Sequence, residues 1–284
     1  MEHGSFVDCS IRQRNRYIIS QNPNCQKTID AMREIEEFLC EFGFLSFGRD
    51  FIVCRNRIFS LQMVLTACEL TAGSIIACYE SGCMADAFSL LRKYRDDLFF
   101  YLYMVVYDSS SKQNAKTQKL LQMENNIERW INNDLCDLPI GTVMQAIGSS
   151  PQVKDAVTKY NLQSFFNTIG DRLNNYVHSN GVSFYNLNVN SYQGNSLQRQ
   201  METLLKDMRL VTISFMFLLA LCSPISIMST DYIDYLDCNA IPPEESQYWV
   251  APFVVEFFKN NIDLIDKSCI AFLEEHTLMQ FEQE

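Results

Sequence analysis

The stretch Leu162-Gln-Ser-Phe-Phe-Asn-Thr-Ile-Gly-Asp-Arg-Leu-Asn-Asn-Tyr-Val-His178 decides how the chain is read. On a helical wheel, Leu162, Phe165, Phe166, Ile169, Leu173 and Tyr176 fall within about 60° of one direction at about 100° per residue. That is the stripe of a helix packed on a core. Asp171, Asn174, Asn175 and His178 fall on the opposite side, and Arg172 lies on the flank. Polar groups so placed point away from their own core. A site there needs something to close over it: the following loop, another helix, or a second copy of the chain. His178 is the one histidine in the interior of the chain, since His3 and His276 lie near the termini. It is therefore the candidate for imidazole acid–base chemistry near neutral pH. The structural reading of the same residues is a solvated helix face. A histidine in the last turn suits the C-terminal dipole, and Gly181 suits a left-handed stop.

Outward from this helix, three- and four-residue apolar spacing recurs along most of the chain. It predicts helices from about Lys27 to Phe42, closed by Gly43 and Gly48, and from about Arg57 to Glu80, broken by Ser81-Gly82. A further helix from about Met84 to Tyr107 is apolar nearly all round after Leu98, which predicts a central position. Within it Arg92 and Asp96, and Lys93 and Asp97, sit four apart, a spacing that allows helix ion pairs. The alternative for these charges is that Arg92 or Arg95 faces the site. Helices are also predicted at about Gln118–Asn132, Pro139–Ile147, Gln152 into the motif, Leu197–Cys222 and Gln247–Leu278. Met1 to Asn24 reads as a polar arm with weak structure, and Ser179–Ser196 as a long polar loop. Nothing reads as a sheet. The fold class is all-α, an antiparallel helical bundle with additional N- and C-terminal helices. The expected division is an arm and helix over 1–56, a bundle core over 57–222, and a C-terminal helical extension over 223–284.

Composition narrows the function classes. The net charge of −11 argues against broad electrostatic binding to nucleic acid while leaving room for a small basic site. The eleven cysteines are odd in number and contain no Cys-x-x-Cys pair, and most have apolar neighbours. They read as reduced, buried thiols of a cytoplasmic protein, and no local spacing predicts a metal or cofactor site. The N-terminus lacks a basic region followed by an apolar run, so no signal peptide is expected. Leu210–Cys222 is free of charge but shorter than the ~18–20 residues a spanning helix needs, which predicts a buried core helix and no membrane partner.

Arg172-Leu-Asn-Asn-Tyr-Val-His178 resembles the Arg-x(4–6)-His signature of the HEPN superfamily, helical nucleotide-binding and ribonuclease domains of toxin and antiviral systems. The stretch Ala87-Phe-Ser-Leu-Leu-Arg92-Lys-Tyr-Arg-Asp96 is similar to an Arg-x-x-x-acid helix in relatives of that family. The likeness covers about 57–222. It implies metal-independent RNA cleavage in a homodimer, with a cognate antitoxin or regulator as a further partner. His178 would be the general acid or base, and Arg172 would bind the scissile phosphate. Leu173 stands where the family carries a polar residue, so Asn174 or Asn175 would orient the phosphate or the imidazole. Asp171, Arg92 and Arg95 would contribute to substrate binding. The competing expectation is a helical module without catalysis that binds a nucleotide or a protein.

Overall fold

Side-chain caps at Ser10, Asn22 and Thr117 start three of the described helices. The computed structural model describes residues 10–46, 51–55, 57–112, 117–134, 138–178, 180–182, 184, 187 and 195–282. Helix α1 (Ile11–Gln21) starts at Ser10, whose hydroxyl accepts from the Gln13 amide. Asn22 ends it and begins α2 (Pro23–Leu45), with Pro23 in the first turn, where a missing N–H costs nothing. A hairpin, β1 (Phe51–Cys54) and β2 (Arg57–Ser60), precedes α3 (Gln62–Glu80) and α4 (Met84–Ser111). Thr117 caps α5 (Gln118–Ile131). Then come α6 (Ile140–Ile147), α7 (Pro151–Lys159), α8 (Leu162–Val177) and α9 (Asn195–Cys222). The C-terminal part holds α10 (Asp231–Asp237), α11 (Pro252–Asn261) and α12 (Cys269–Thr277).

The centre is the pair α4 and α9, each 28 residues long. They run parallel in contact: the Tyr94 hydroxyl meets Thr212 Oγ1 at 2.7 Å, and Tyr101 meets Phe215 edge-on. Residues 210–221 are buried throughout, as expected of a core helix. Helices α2 and α3 cover one side of the pair, and α8 lies antiparallel to both α4 and α9 on another. A single apolar core runs from Ile19 to Phe281, so all three sections of the chain contribute to it. Among the described residues one helix, α3, is long and apolar enough to cross a membrane by length and composition, with 44% of that window buried in the fold.

The class is all-α, with corrections. Residues read as a weak arm hold α1, anchored by the buried Asn15 and Ile19. A hairpin occupies what reads as the start of the Arg57 helix: Ile52 pairs with Phe59 and Val53 with Ile58. Arg55, at φ 52°, turns the chain. Four-residue strands are too short for their two-residue period to stand out against helical spacing. Helix α2 passes through Gly43 to Leu45, and Gly48 lies outside the described residues. The helix expected to run unbroken into the motif is interrupted at Asn161, whose left-handed backbone (φ 50°) separates α7 from α8. The expected Gln247–Leu278 helix is two helices, because Pro252 starts a new one and a tight 3-10 turn at Ile262–Leu264 ends it.

Candidate functional site

Helix α8 forms three faces. Leu162, Phe166, Ile169 and Leu173 are buried, and Tyr176 stacks on Phe88 of α4 at 4.4 Å. The apolar stripe is therefore the core face. One flank of it, carrying Gln163, Asn167, Gly170 and Asn174, lines a cleft of about 320 Å³. These positions are four, three and four residues apart, so they form a single line along the helix.

Helix α4 supplies the facing wall with Arg92, Arg95, Asp96 and Phe99. The segment around α6 closes the end with Leu138, Pro139, Ile140 and Met144. Helix α4 of the same chain thus walls one flank of α8, while Gln163, Asn167, Asp171 and His178 remain exposed.

The charges in the cleft are organised around Asp96. Arg95 is buried, and its Nε and Nη2 donate to Asp96 Oδ1 at 2.9 and 2.7 Å. Arg92 Nε approaches the other carboxylate oxygen at 3.5 Å. Gly170 makes room for this packing, since a Cβ there would lie 3.2 Å from Arg95 Nη1. Asp171 adds a second carboxylate, so two arginines face two aspartates. The floor is aromatic: Phe99 meets Phe166 edge-on at 4.9 Å. A site with balanced charge, several amide groups and an apolar floor suits a ligand with a polar edge and a flat apolar face.

His178 is the C-cap of α8 and is exposed. Its Nε2 lies 3.4 Å from Arg92 Nη1. A guanidinium only donates, so a hydrogen bond here needs the neutral imidazole with Nε2 accepting and the proton on Nδ1. Arg172 goes the other way. It sits on the opposite flank of the apolar stripe, and its Nε pairs with Asp207 Oδ2 of α9 at 3.0 Å. The approach is off the line of a hydrogen bond, so the contact is an ion pair. Burial pushes the Asp207 carboxyl up to about 6, partly offset by Arg172 and Lys206. Asn175 is engaged by Asn180, whose Nδ2 donates to its side-chain oxygen at 3.3 Å.

Of the residues singled out by sequence, the fold therefore gathers Arg92, Arg95, Asp171 and Asn174 in one cleft, with His178 reached through Arg92. Arg172 and Asn175 lie outside its lining. Gln163, Asn167 and Gly170 were not singled out, and Asp96 was named as the ion-pair partner of Arg92. The first two stand on the helical line through Asn174 and were visible on the same wheel. Much of the Ser179–Ser196 connection lies outside the described residues. Within it Phe184 meets Tyr176 edge-on at 4.8 Å, and Leu187 is buried. No group of three or more His, Cys, Asp or Glu side chains among the described residues could hold a metal ion. Comparison of the chain with protein-family models, curated proteins and solved structures gives no significant match.

Proposed function

We propose that this chain is a nucleotide-binding helical module whose site is the cleft between α4, α6 and α8. The observation that carries this is the composition of the walls: paired arginines and aspartates, three side-chain amides and an aromatic floor in about 320 Å³. A base has an apolar face for the lining around Phe166, Leu138 and Ile140 and a hydrogen-bonding edge for Gln163, Asn167 and Asn174. Arg92, which has a partly exposed side chain, takes the phosphate at the His178 end. The balanced charge favours a small ligand over a long polyanion. The walls come from one chain, so binding needs no second copy.

A second reading has its own observation, the 3.4 Å approach of Arg92 Nη1 to His178 Nε2. In an endoribonuclease of toxin or antiviral type, that pair would serve as phosphate binder and acid–base group, with Arg92 in place of Arg172. RNA would then be the substrate, and a homodimer or a cognate antitoxin would be its setting.

Calorimetric titration of adenine and guanine mononucleotides tests the first reading. Arg92→Ala is expected to weaken binding about tenfold or more, the loss of a charge-assisted contact. Arg172→Ala is expected to change it less than about twofold, because it lies outside the cleft. Absence of nucleotide binding, or the reverse order of the two variants, overturns the proposal. Cleavage of single-stranded RNA in a chelator, lost in His178→Ala while nucleotide binding persists, establishes the second reading in addition.

A further inference from the structure

We infer that Cys78 and Cys83, at the turn between α3 and α4, form a dithiol that a hydroperoxide converts to an intramolecular disulfide. The turn closes α3 with two backbone bonds. The Gly82 amide donates to the Tyr79 carbonyl at 2.9 Å, and the Cys83 amide donates to the Cys78 carbonyl at 2.8 Å. Gly82 has φ 76°. This is the Schellman arrangement, in which the first and sixth residues bring their side chains together, ordinarily as an apolar contact. Here both are cysteines. Their direct backbone bond brings them toward the Cα separation of about 4.4–6.8 Å that a disulfide spans.

Access and reactivity agree with this pairing. Cys78 and Cys83 are half-buried, within reach of a small oxidant, whereas Cys25, Cys54, Cys68 and Cys269 are buried. Cys83 is the N-cap residue of the 28-residue α4, and its thiol donates to the Ser81 carbonyl at 3.9 Å. Burial pushes the Cys78 thiol up, the charges of Asp86 and Cys83 add to this, and Arg12 opposes it. Cys78 is therefore assigned as the resolving thiol, and Cys83 attacks first. Its thiolate takes the terminal oxygen of the hydroperoxide as the O–O bond breaks. The leaving alkoxide or hydroxide gains a proton, and Cys83 becomes a sulfenic acid. Cys78 then gives up its proton and displaces hydroxide from the Cys83 sulfur. The S–S bond forms, the S–O bond breaks and water departs. In total two thiols and one hydroperoxide give a disulfide, an alcohol (water when the oxidant is hydrogen peroxide) and water. The bond would lock the turn on which α1 docks, where Asn15 Nδ2 donates to the Gly82 carbonyl at 3.4 Å.

The test uses the native full chain and hydrogen peroxide, followed by alkylation of remaining thiols and cleavage after Glu69, Glu80 and Asp86. The expected result is that the peptides 70–80 and 81–86 are joined and separate on reduction. In Cys78→Ser, a sulfenic-acid probe is expected to label Cys83. Peptides that stay apart while other thiols oxidise, or Cys83 carried to sulfinic acid without joining Cys78, overturn the proposal. Failure to label Cys83 in Cys78→Ser does so as well.

Discussion

At the scale of single residues, Leu173 and Arg172 show how closely packed chemistry diverges on one helix. They are neighbours in sequence, yet Leu173 is fully buried and Arg172 reaches out to Asp207. The polar residue that the HEPN-like signature would place after the arginine falls here on the core face. A polar side chain would have no partner there. Leu173→Asn is expected to destabilise the fold by about 3–5 kcal/mol, combining a lost apolar contact with an unpaired amide. Chemical denaturation reads this directly. A loss below about 1 kcal/mol would mean that the stripe is not the packing face. Asp96 plays the converse role, since it is the carboxylate that holds Arg92 and Arg95 together.

At the scale of elements, the α3–α4 turn is where backbone conformation and packing meet. Gly82 has φ 76°, and a Cβ on it would lie 2.5 Å from Asn15 Cβ of α1. Gly82→Ala is therefore expected to cost about 2 kcal/mol or more, from left-handed strain together with displacement of α1. Hydrogen exchange separates the two contributions, because amides of 11–21 should lose protection more than those of α4. Equal loss throughout would place the cost in the turn alone. Helix α8 is the other element on which much depends. Its core stripe sets its rotation, which together with the packing of α4 and α9 on its two flanks sends Asn174 to α4 and Arg172 to α9.

At the scale of the whole molecule, Asp207 ties global stability to pH. Burial holds its carboxyl at about 6, against an ordinary 3.8. The folded state thus binds this proton more tightly than the unfolded chain. The stability from this group is fully present below pH 3.8 and is lost as pH rises through about 6. That difference corresponds to roughly 3 kcal/mol. Relative to Asp207→Asn, the parent is expected to lose stability between about pH 4 and 6, measured as the difference in unfolding free energy at each pH. A difference that does not vary over that range would refute the assignment. The contribution is opposite in sign to that of a carboxylate held ionised by its partners.

The helical class, the core helix at 210–221 and the apolar stripe of α8 were legible in the sequence. Each is a repeated apolar or polar spacing that needs no distant partner to be read. The hairpin at 51–60 and the break at Asn161 were not. One is too short for its period to register, and the other rests on a single left-handed residue. The sequence also set which residues could act, since His178, Arg92, Arg95, Arg172 and Asn174 all stand out by type and spacing. Which of them act together was decided by tertiary structure. Arg92 and His178 are 86 positions apart and in contact, whereas Arg172 and His178 are six apart and lie on different flanks. The physical reason is that helical spacing fixes only the angle between side chains on one helix. The wall facing each flank is chosen by how α4 and α9 pack around α8.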